Sequence, residues 1–401
     1  MIGWELPPHN SGGLGVACAG ITQALAADGV NIDFTLPYSF QEQFNHLKVI
    51  QCYDPKWFQS QSSLRQPPFS VYNPIPPSAM TDDLELDACQ PCSQMEKQAE
   101  EYAQKVLEFA KEHLGDFDVV HAHDWMTMPA AIKIKQELNK PFVAHIHSTE
   151  YDRSLTNDHQ NYIGQCEISG MKLADRVIAV SYYTKRILVE KYQITPSKID
   201  VVHNGVVSLL RDINDIPKEF AYRRPVVVFM GRLTIQKGPD YFLELAGKIL
   251  EKRKDVLFIV SGMGDMYQQL LLTNAGKNLS ANVLFSGFVR GGAQLAILKR
   301  ADIFVMPSVS EPFGLVATEA ATFGTPVVAS KNSGVVEVMK DSPQFNFWDT
   351  QAMADEILHL VDDPDYHAQV VKAQLKHLKK TTWKKAAKKI EKIYQKIIKK
   401  K

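Results

Sequence analysis

Two glutamates, Glu311 and Glu319, stand eight residues apart in the run Ser310-Glu311-Pro312-Phe313-Gly314-Leu315-Val316-Ala317-Thr318-Glu319. The apolar runs 302–307 and 325–329 on either side read as strands of a buried parallel sheet, so Glu311 falls on a loop leaving a strand. Gly314 lets the backbone approach a ligand closely, and the free N–H groups of the helix that follows favour an anion. That geometry suits a diphosphate at the helix start. Glu319, about a turn inside the helix, is placed to accept from sugar hydroxyls.

A second constellation, Gly231-Arg232-Leu233 with Lys237-Gly238, follows the strand-like run 225–230. Ligands of open α/β sheets bind beyond the carboxyl ends of the strands, so Arg232 and Lys237 are two fixed cations at a ligand mouth. They could neutralise a diphosphate leaving group without a metal. Alone they could equally cap neighbouring elements; beside Glu311 and Glu319 the ligand reading is preferred. Gly262 and Gly264 in Ser261-Gly262-Met263-Gly264-Asp265 occupy another strand-to-helix turn, and Ser286-Gly287-Phe288-Val289 exposes backbone that could meet a nucleobase edge.

The first half offers Ser11-Gly12-Gly13-Leu14-Gly15, a glycine loop that lets a sugar or phosphate near backbone N–H groups. The G-x-G-x-x-G spacing is not met and no acid ends an intact second strand, which argues against a nicotinamide enzyme. His121-Ala122-His123-Asp124-Trp125 follows the strand-like run 117–121. The two histidines are taken to point to opposite sides, so that only one meets ligand. His123 is expected to hydrogen-bond a sugar hydroxyl as a neutral imidazole, and His121 to be a core or strand-end residue. Zinc would need a third ligand, which His145 and His147 make conceivable; the expected reading has no metal.

These motifs together resemble the retaining glycosyltransferases of the GT-B fold, family four, and among them the glycogen-synthase-like members. The resemblance spans nearly the whole chain and rests on residues 4–15, 121–125, 147–154 (His-Ser-Thr-Glu-Tyr-Asp-Arg-Ser), 231–238 and 311–319. It implies an α/β protein of two Rossmann-like doubly wound domains facing across a cleft, the second holding a sugar nucleotide. Arg232 and Lys237 would bind the diphosphate and Glu319 the ribose. Gly314 and Leu315 would offer N–H groups to the phosphates, and Glu311 would lie under the donor sugar. His123 would contact that sugar from the first domain, with Gly13 and Leu14 beside it, and Gly231, Gly262 and Gly264 would line the nucleotide site. Retention of anomeric configuration, no metal and no cofactor beyond the donor, UDP-glucose or ADP-glucose, are implied, with a glucan or other carbohydrate as acceptor. Asn10 stands where bacterial ADP-glucose glycogen synthases usually carry lysine, which leaves the nucleotide open. Transfer in sucrose phosphate, trehalose or surface polysaccharide synthesis is the alternative. A sugar-nucleotide epimerase or a non-catalytic glucan-binding protein stands further off, and a phosphorylase is disfavoured because no lysine setting for a pyridoxal cofactor is recognisable.

The elements that must position these residues alternate strand and helix almost throughout. In the first half strands are expected at 31–36, 117–121, 141–147, 176–180 and 200–202, and helices at 15–27, 95–114, 128–138, 159–173 and 182–191. In the second half strands fall at 225–230, 256–260, 283–286, 302–306 and 326–329, with helices such as 239–253 and 266–274 between them. Residues 1–4 read as the end of a first strand that is either very short or continued upstream. The segment 38–88, rich in Pro, Gln and Ser, reads as an insertion with little regular structure, and 209–224 as a linker. Domains are thus expected at 1–210 and 223–380. A terminal helix at 381–401 should cross back, its Trp383, Ala387, Ile390, Tyr394 and Ile397 stripe packed on the body and its lysines solvated. Weak peripheral membrane association through those lysines is the lesser alternative.

A chain of 401 residues with 45% apolar and 22% charged residues is an ordinary soluble composition for two or three domains. Zero formal net charge gives no electrostatic case for nucleic acid. No apolar stretch nears the roughly 20 residues that span a bilayer, and no signal peptide opens the chain, so a cytoplasmic location is expected. Five cysteines make no disulfide framework, and Cys89-Gln90-Pro91-Cys92 lacks a second Cys/His pair at zinc-finger spacing.

Overall fold

The computed structural model describes residues 1–10, 12–52, 90–156, 160–206 and 224–398. The chain divides into two compact units, Met1–Gly205 with Trp383–Lys401, and Val206–Thr382.

In the first unit α1 (Gly13–Ala27) leads to β1 (Asp33–Leu36) and β2 (Lys48–Gln51), and α2 (Gln90–Glu112) leads to β3 (Val120–His123). Then come α3 (Met128–Leu138), β4 (Phe142–Ile146), α4 (Glu150–Ser154), α5 (Tyr162–Leu173), β5 (Arg176–Ala179), α6 (Tyr182–Glu190) and β6 (Ile199–Val201). Strands β3-β4-β5-β6 form a parallel ladder, and β1 pairs parallel with β2. The first residues of the chain join the two ladders. Ile2 bridges Thr35 and Ala122, its N–H donating to His121 O at 2.8 Å while Gly3 N–H donates to Thr35 O at 3.1 Å. A Cβ on Gly3 would lie 2.1 Å from the Phe34 ring, so this insertion needs glycine. The expected first strand is therefore a single-residue bridge. Every residue of β3 and β4 is buried, as in parallel strands covered on both faces.

Two expectations change here. Residues 48–51, inside the segment read as irregular, form the parallel edge strand β2, which only half-buries Val49 and Ile50 and so carries little apolar signal. Residues 53–89 of that segment lie outside the described residues. The strand expected at 117–121 runs instead over β3, so His121 and His123 lie in the strand itself.

The second unit holds β7 (Val226–Met230), α7 (Pro239–Lys252), β8 (Leu257–Ser261), α8 (Tyr267–Gly276), β9 (Val283–Gly287), α9 (Gly291–Arg300), β10 (Ile303–Met306) and α10 (Leu315–Thr322). It continues with β11 (Val327–Ser330), α11 (Val335–Val338), β12 (Gln344–Phe345), α12 (Thr350–Asp362) and α13 (Pro364–Leu378). Its sheet has the order β12-β11-β10-β7-β8-β9, with every pairing parallel. Strand order therefore reverses between β7 and β10, where such sheets leave a crevice for ligands.

Helix α14 (Trp383–Ile398) belongs to the first unit, where it packs on α1; a Cβ on Gly20 would lie 2.3 Å from the Trp383 ring. Ala387, Ile390, Tyr394 and Ile397 are buried and Lys384, Lys385, Lys388, Lys389, Lys392 and Lys396 exposed, so the apolar stripe is used for packing. Among the described residues no helix is long and apolar enough to cross a membrane.

Candidate active site

In the second unit the loops after β7 and β10 are built against each other. A 3-10 turn, Ile235–Lys237, ends at Gly238, whose φ of +65° opens α7. A Cβ there would lie 2.3 Å from Pro307 O, so glycine serves both the turn and the close approach. Lys237 Nζ meets Glu311 Oε2 at 2.7 Å, with both side chains largely covered. Glu311 is held at its backbone too: its N–H donates to Asn332 O and its carbonyl accepts from Gly334 N–H, each at 2.9 Å. Arg232 donates to Gln236 Oε1 at 3.2 Å, and Gln236 O accepts the N–H groups of Val309 and Ser310. Two cations and one carboxylate thus stand at the carboxyl ends of β7 and β10, where the strand order reverses.

Gly314, at φ +101°, opens α10 with no side-chain cap, which leaves the first N–H groups to an anion. Leu315 is the first residue of α10. Glu319 lies within that helix and is buried; its Oε2 accepts from Gln294 Nε2 at 2.9 Å. Burial pushes the Glu319 carboxyl up to about 7, with the Gln294 hydrogen bond pulling the other way. A Cβ on Gly231 would meet only ordinary van der Waals contacts, with Phe229 at 3.8 Å and Lys237 at 3.9 Å. Gly262 and Gly264 are different: a Cβ on either would collide with the carbonyls of Gly231 or Leu233, at 1.8 and 2.3 Å. Those two glycines let neighbouring loops touch. After β9, Phe288 is half exposed with the Arg290 guanidinium 4.7 Å over its ring.

In the first unit the histidines correct the sequence reading. His121 and His123 are separated by one residue, and a strand repeats every two, so they share a face. Their rings stack at 4.4 Å, and those of His145 and His147 stack beside them at 4.3 Å. His121 Nδ1 is bonded to the Tyr394 hydroxyl of α14 and its Nε2 to His145 Nδ1 at 3.1 Å, while His123 Nδ1 faces His147 Nε2 at 3.0 Å. Burial, reinforced by neighbouring rings, holds His121, His123 and His145 well below the ordinary imidazole range; burial alone brings His147 down to about 3. Burial thus favours the neutral form of all four rings.

Asp124 follows at φ +60°, a strained setting for a residue with a side chain. Its Oδ1 accepts from His147 N–H at 2.6 Å and Ser148 N–H at 3.3 Å, and burial lifts its carboxyl to about 7. The segment after His147 is anchored by groups that sequence patterns do not mark. Thr149 and Asp152 form a capping box on α4, and buried Glu167 takes Arg153 at 2.9 Å and the Tyr192 hydroxyl at 2.6 Å. Gly13 opens α1 exposed to solvent and Leu14 is buried; the neighbouring Ser11 and the Cys89 of the Cys-x-x-Cys element lie outside the described residues. Asn10 Nδ2 donates to Gly12 O at 3.0 Å.

Comparison with known proteins agrees with this architecture. The family described as Glycosyltransferase Family 4 matches residues 96–208, and that described as Glycosyl transferases group 1 matches residues 211–377. An uncharacterized glycosyltransferase of Methanocaldococcus jannaschii is 31% identical over 352 residues, 85% of this chain and 82% of that protein. The glycogen synthase of Mycobacterium tuberculosis is 30% identical over 263 residues, 62% of this chain and 61% of that enzyme. Among solved structures, Anabaena HepE in complex with UDP and glucose superposes with a TM-score of 0.67 at 18% identity, covering 98% of this chain and 99% of that one. With two Rossmann-like units and both family matches in chain order, the chain belongs to the GT-B glycosyltransferases of group 1, in the family-four-like branch.

Proposed function

We propose that this glycosyltransferase moves glucose from UDP-glucose or ADP-glucose to a glucan or other glycoside acceptor, with retention at the anomeric carbon and without a metal. The observation that carries the reading is the Lys237–Glu311 pair, 2.7 Å apart at the reversal of strand order, with Arg232 on the same loop as Lys237. A nucleotide diphosphate needs fixed positive charge as it departs, and preorganised charge-assisted contacts at the leaving group lower the barrier to its release. Lys237 and Arg232 serve that role, and the N–H groups of Gly314 and Leu315 at the start of α10 add to it.

Glu319 accepts the ribose hydroxyls, and Gly231, Gly262 and Gly264 line the nucleotide site. Glu311 binds hydroxyls of the transferred sugar near its reacting carbon. One of its oxygens is engaged by Lys237, which fits an acceptor of hydrogen bonds better than a free nucleophile. His123, neutral, bonds a sugar hydroxyl, with Gly13 and Leu14 beside it. The acceptor then attacks on the face the diphosphate leaves, through an oxocarbenium-like state. A glycogen synthase among the relatives, and UDP with glucose in HepE, support a glucosyl donor. The zero net charge fits a carbohydrate rather than a nucleic acid partner.

The stereochemistry and the metal independence are tested together. Proton spectra of the first-formed linkage should show the α configuration from an α-linked donor, at an undiminished rate in EDTA. A β linkage would overturn retention, and a loss of rate in EDTA restored by a divalent ion would overturn metal independence.

A further inference from the structure

The histidine layer contains more donors than sugar binding uses. Cys18 on the inner face of α1, His123 at the end of β3 and His147 just beyond β4 each offer a donor atom, all within 4.8 Å of one another. We propose that Cys18, His123 and His147 form a binding site for a single zinc-like divalent cation. One thiolate and two imidazoles are the donor types a borderline-soft ion takes, and three protein ligands leave a fourth position for solvent.

A second trio, His121, His123 and His145, is equally compact, but both nitrogens of His121 are already bonded, to Tyr394 and to His145. In the Cys18 trio each imidazole keeps one nitrogen outside any hydrogen bond. Cys18 is buried and makes no disulfide. His123 Nδ1 and His147 Nε2 face each other with one proton between them, while His123 Nε2 and His147 Nδ1 are buried without a hydrogen-bond partner. Those two unpartnered nitrogens complete the proton balance. A cation on the facing nitrogens displaces the shared proton to the remote nitrogen of the same ring, so both rings stay neutral. Cys18 gives up its thiol proton to solvent, and one proton is released for each cation bound.

A cation held there occupies His123 and competes with the donor sugar, a consequence that rests on the role proposed for His123 above. The test uses the full chain, stripped of metal and titrated with ZnCl2 by calorimetry and with CoCl2 by absorbance. The expected result is one site per chain, with a thiolate-to-cobalt charge-transfer band. Cys18→Ser should lose the band and weaken zinc binding by more than the ~10–100-fold that loss of an outer-shell partner costs a metal site. Metal-free transfer should be unchanged in that variant, and Cys18→Ala should behave alike. Equal zinc affinity in wild type and Cys18→Ser, or cobalt bound without a thiolate band, would overturn the proposal. Cysteine-dependent zinc binding that leaves transfer untouched would uphold the site and remove His123 from the donor contact.

Discussion

The sheet face over β3 and β4 and the loops beyond β7 and β10 hold their polar groups in opposite ways. In the first, four imidazoles share one dry layer over β3 and β4, neutral and stacked, with no acid-base ion pair among them. In the second, the polar groups are a charged pair and an arginine on loops beyond β7 and β10, held by backbone bonds at Glu311 and by glycine turns. A neutral ring can sit on a buried sheet face at the cost of a few unmet hydrogen bonds. A charge cannot, so it is kept at the strand ends, where a charged ligand can complete its surroundings. Under the proposed function, the same doubly wound layout would supply sugar-hydroxyl chemistry in one unit and phosphate chemistry in the other.

Breaking the charged side should have the largest effect. Lys237→Ala should lower kcat/KM by roughly 100-fold or more, because a leaving diphosphate loses a charge-assisted contact; activity within a few-fold of wild type would defeat its assignment. Glu311→Gln should follow, reducing kcat more than nucleotide affinity. An unchanged kcat would take Glu311 away from the reacting centre. On the neutral side, Tyr394→Phe leaves His121 Nδ1 without its partner and should cost about 1–3 kcal/mol of stability. An unchanged unfolding midpoint would show that the bond contributes nothing net.

Two further effects sharpen the contrast through pH. Glu319 is raised to about 7 in the fold, so its contribution is greatest below its ordinary value and is lost as pH climbs through about 7. Glu319→Gln should therefore gain on wild type in thermal midpoint at pH 8 relative to pH 5. His147 is depressed to about 3, so the folded unit binds fewer protons than the unfolded chain below the ordinary imidazole value. Stability should fall on acidification, and His147→Gln should fall less steeply. Parallel pH curves for either variant and wild type would contradict the burial that sets these values.

Much of this was legible in the sequence because it rests on local rules. Continuous apolar strands, glycine turns and a helix stripe such as Ala387, Ile390, Tyr394 and Ile397 follow from period and propensity. Lys237 and Glu311 were placed at strand ends by pattern alone, although their mutual bond, across 74 positions, was not visible. What the sequence did not show depends on register and on distant partners. The shared face of His121 and His123 needed the strand boundary, which lies at Val120–His123 rather than 117–121. Edge strand β2 is half exposed and flanked by polar residues, so it lacks the run that marks a buried strand. Cys18, Tyr394 and Glu167 meet the histidine layer or its adjoining loop through packing of α1, α14 and α5, and no spacing rule links them.

The most direct test of the central claim is nucleotide release from UDP-glucose and ADP-glucose, each with and without glycogen or maltooligosaccharide. Release from one donor that depends on acceptor, with lengthened glucan as product, is the expected result and would fix the nucleotide. Release of neither nucleotide in the presence of these acceptors, with donor binding still detected by calorimetry, would contradict glucan synthesis and move the acceptor to another class of glycoside.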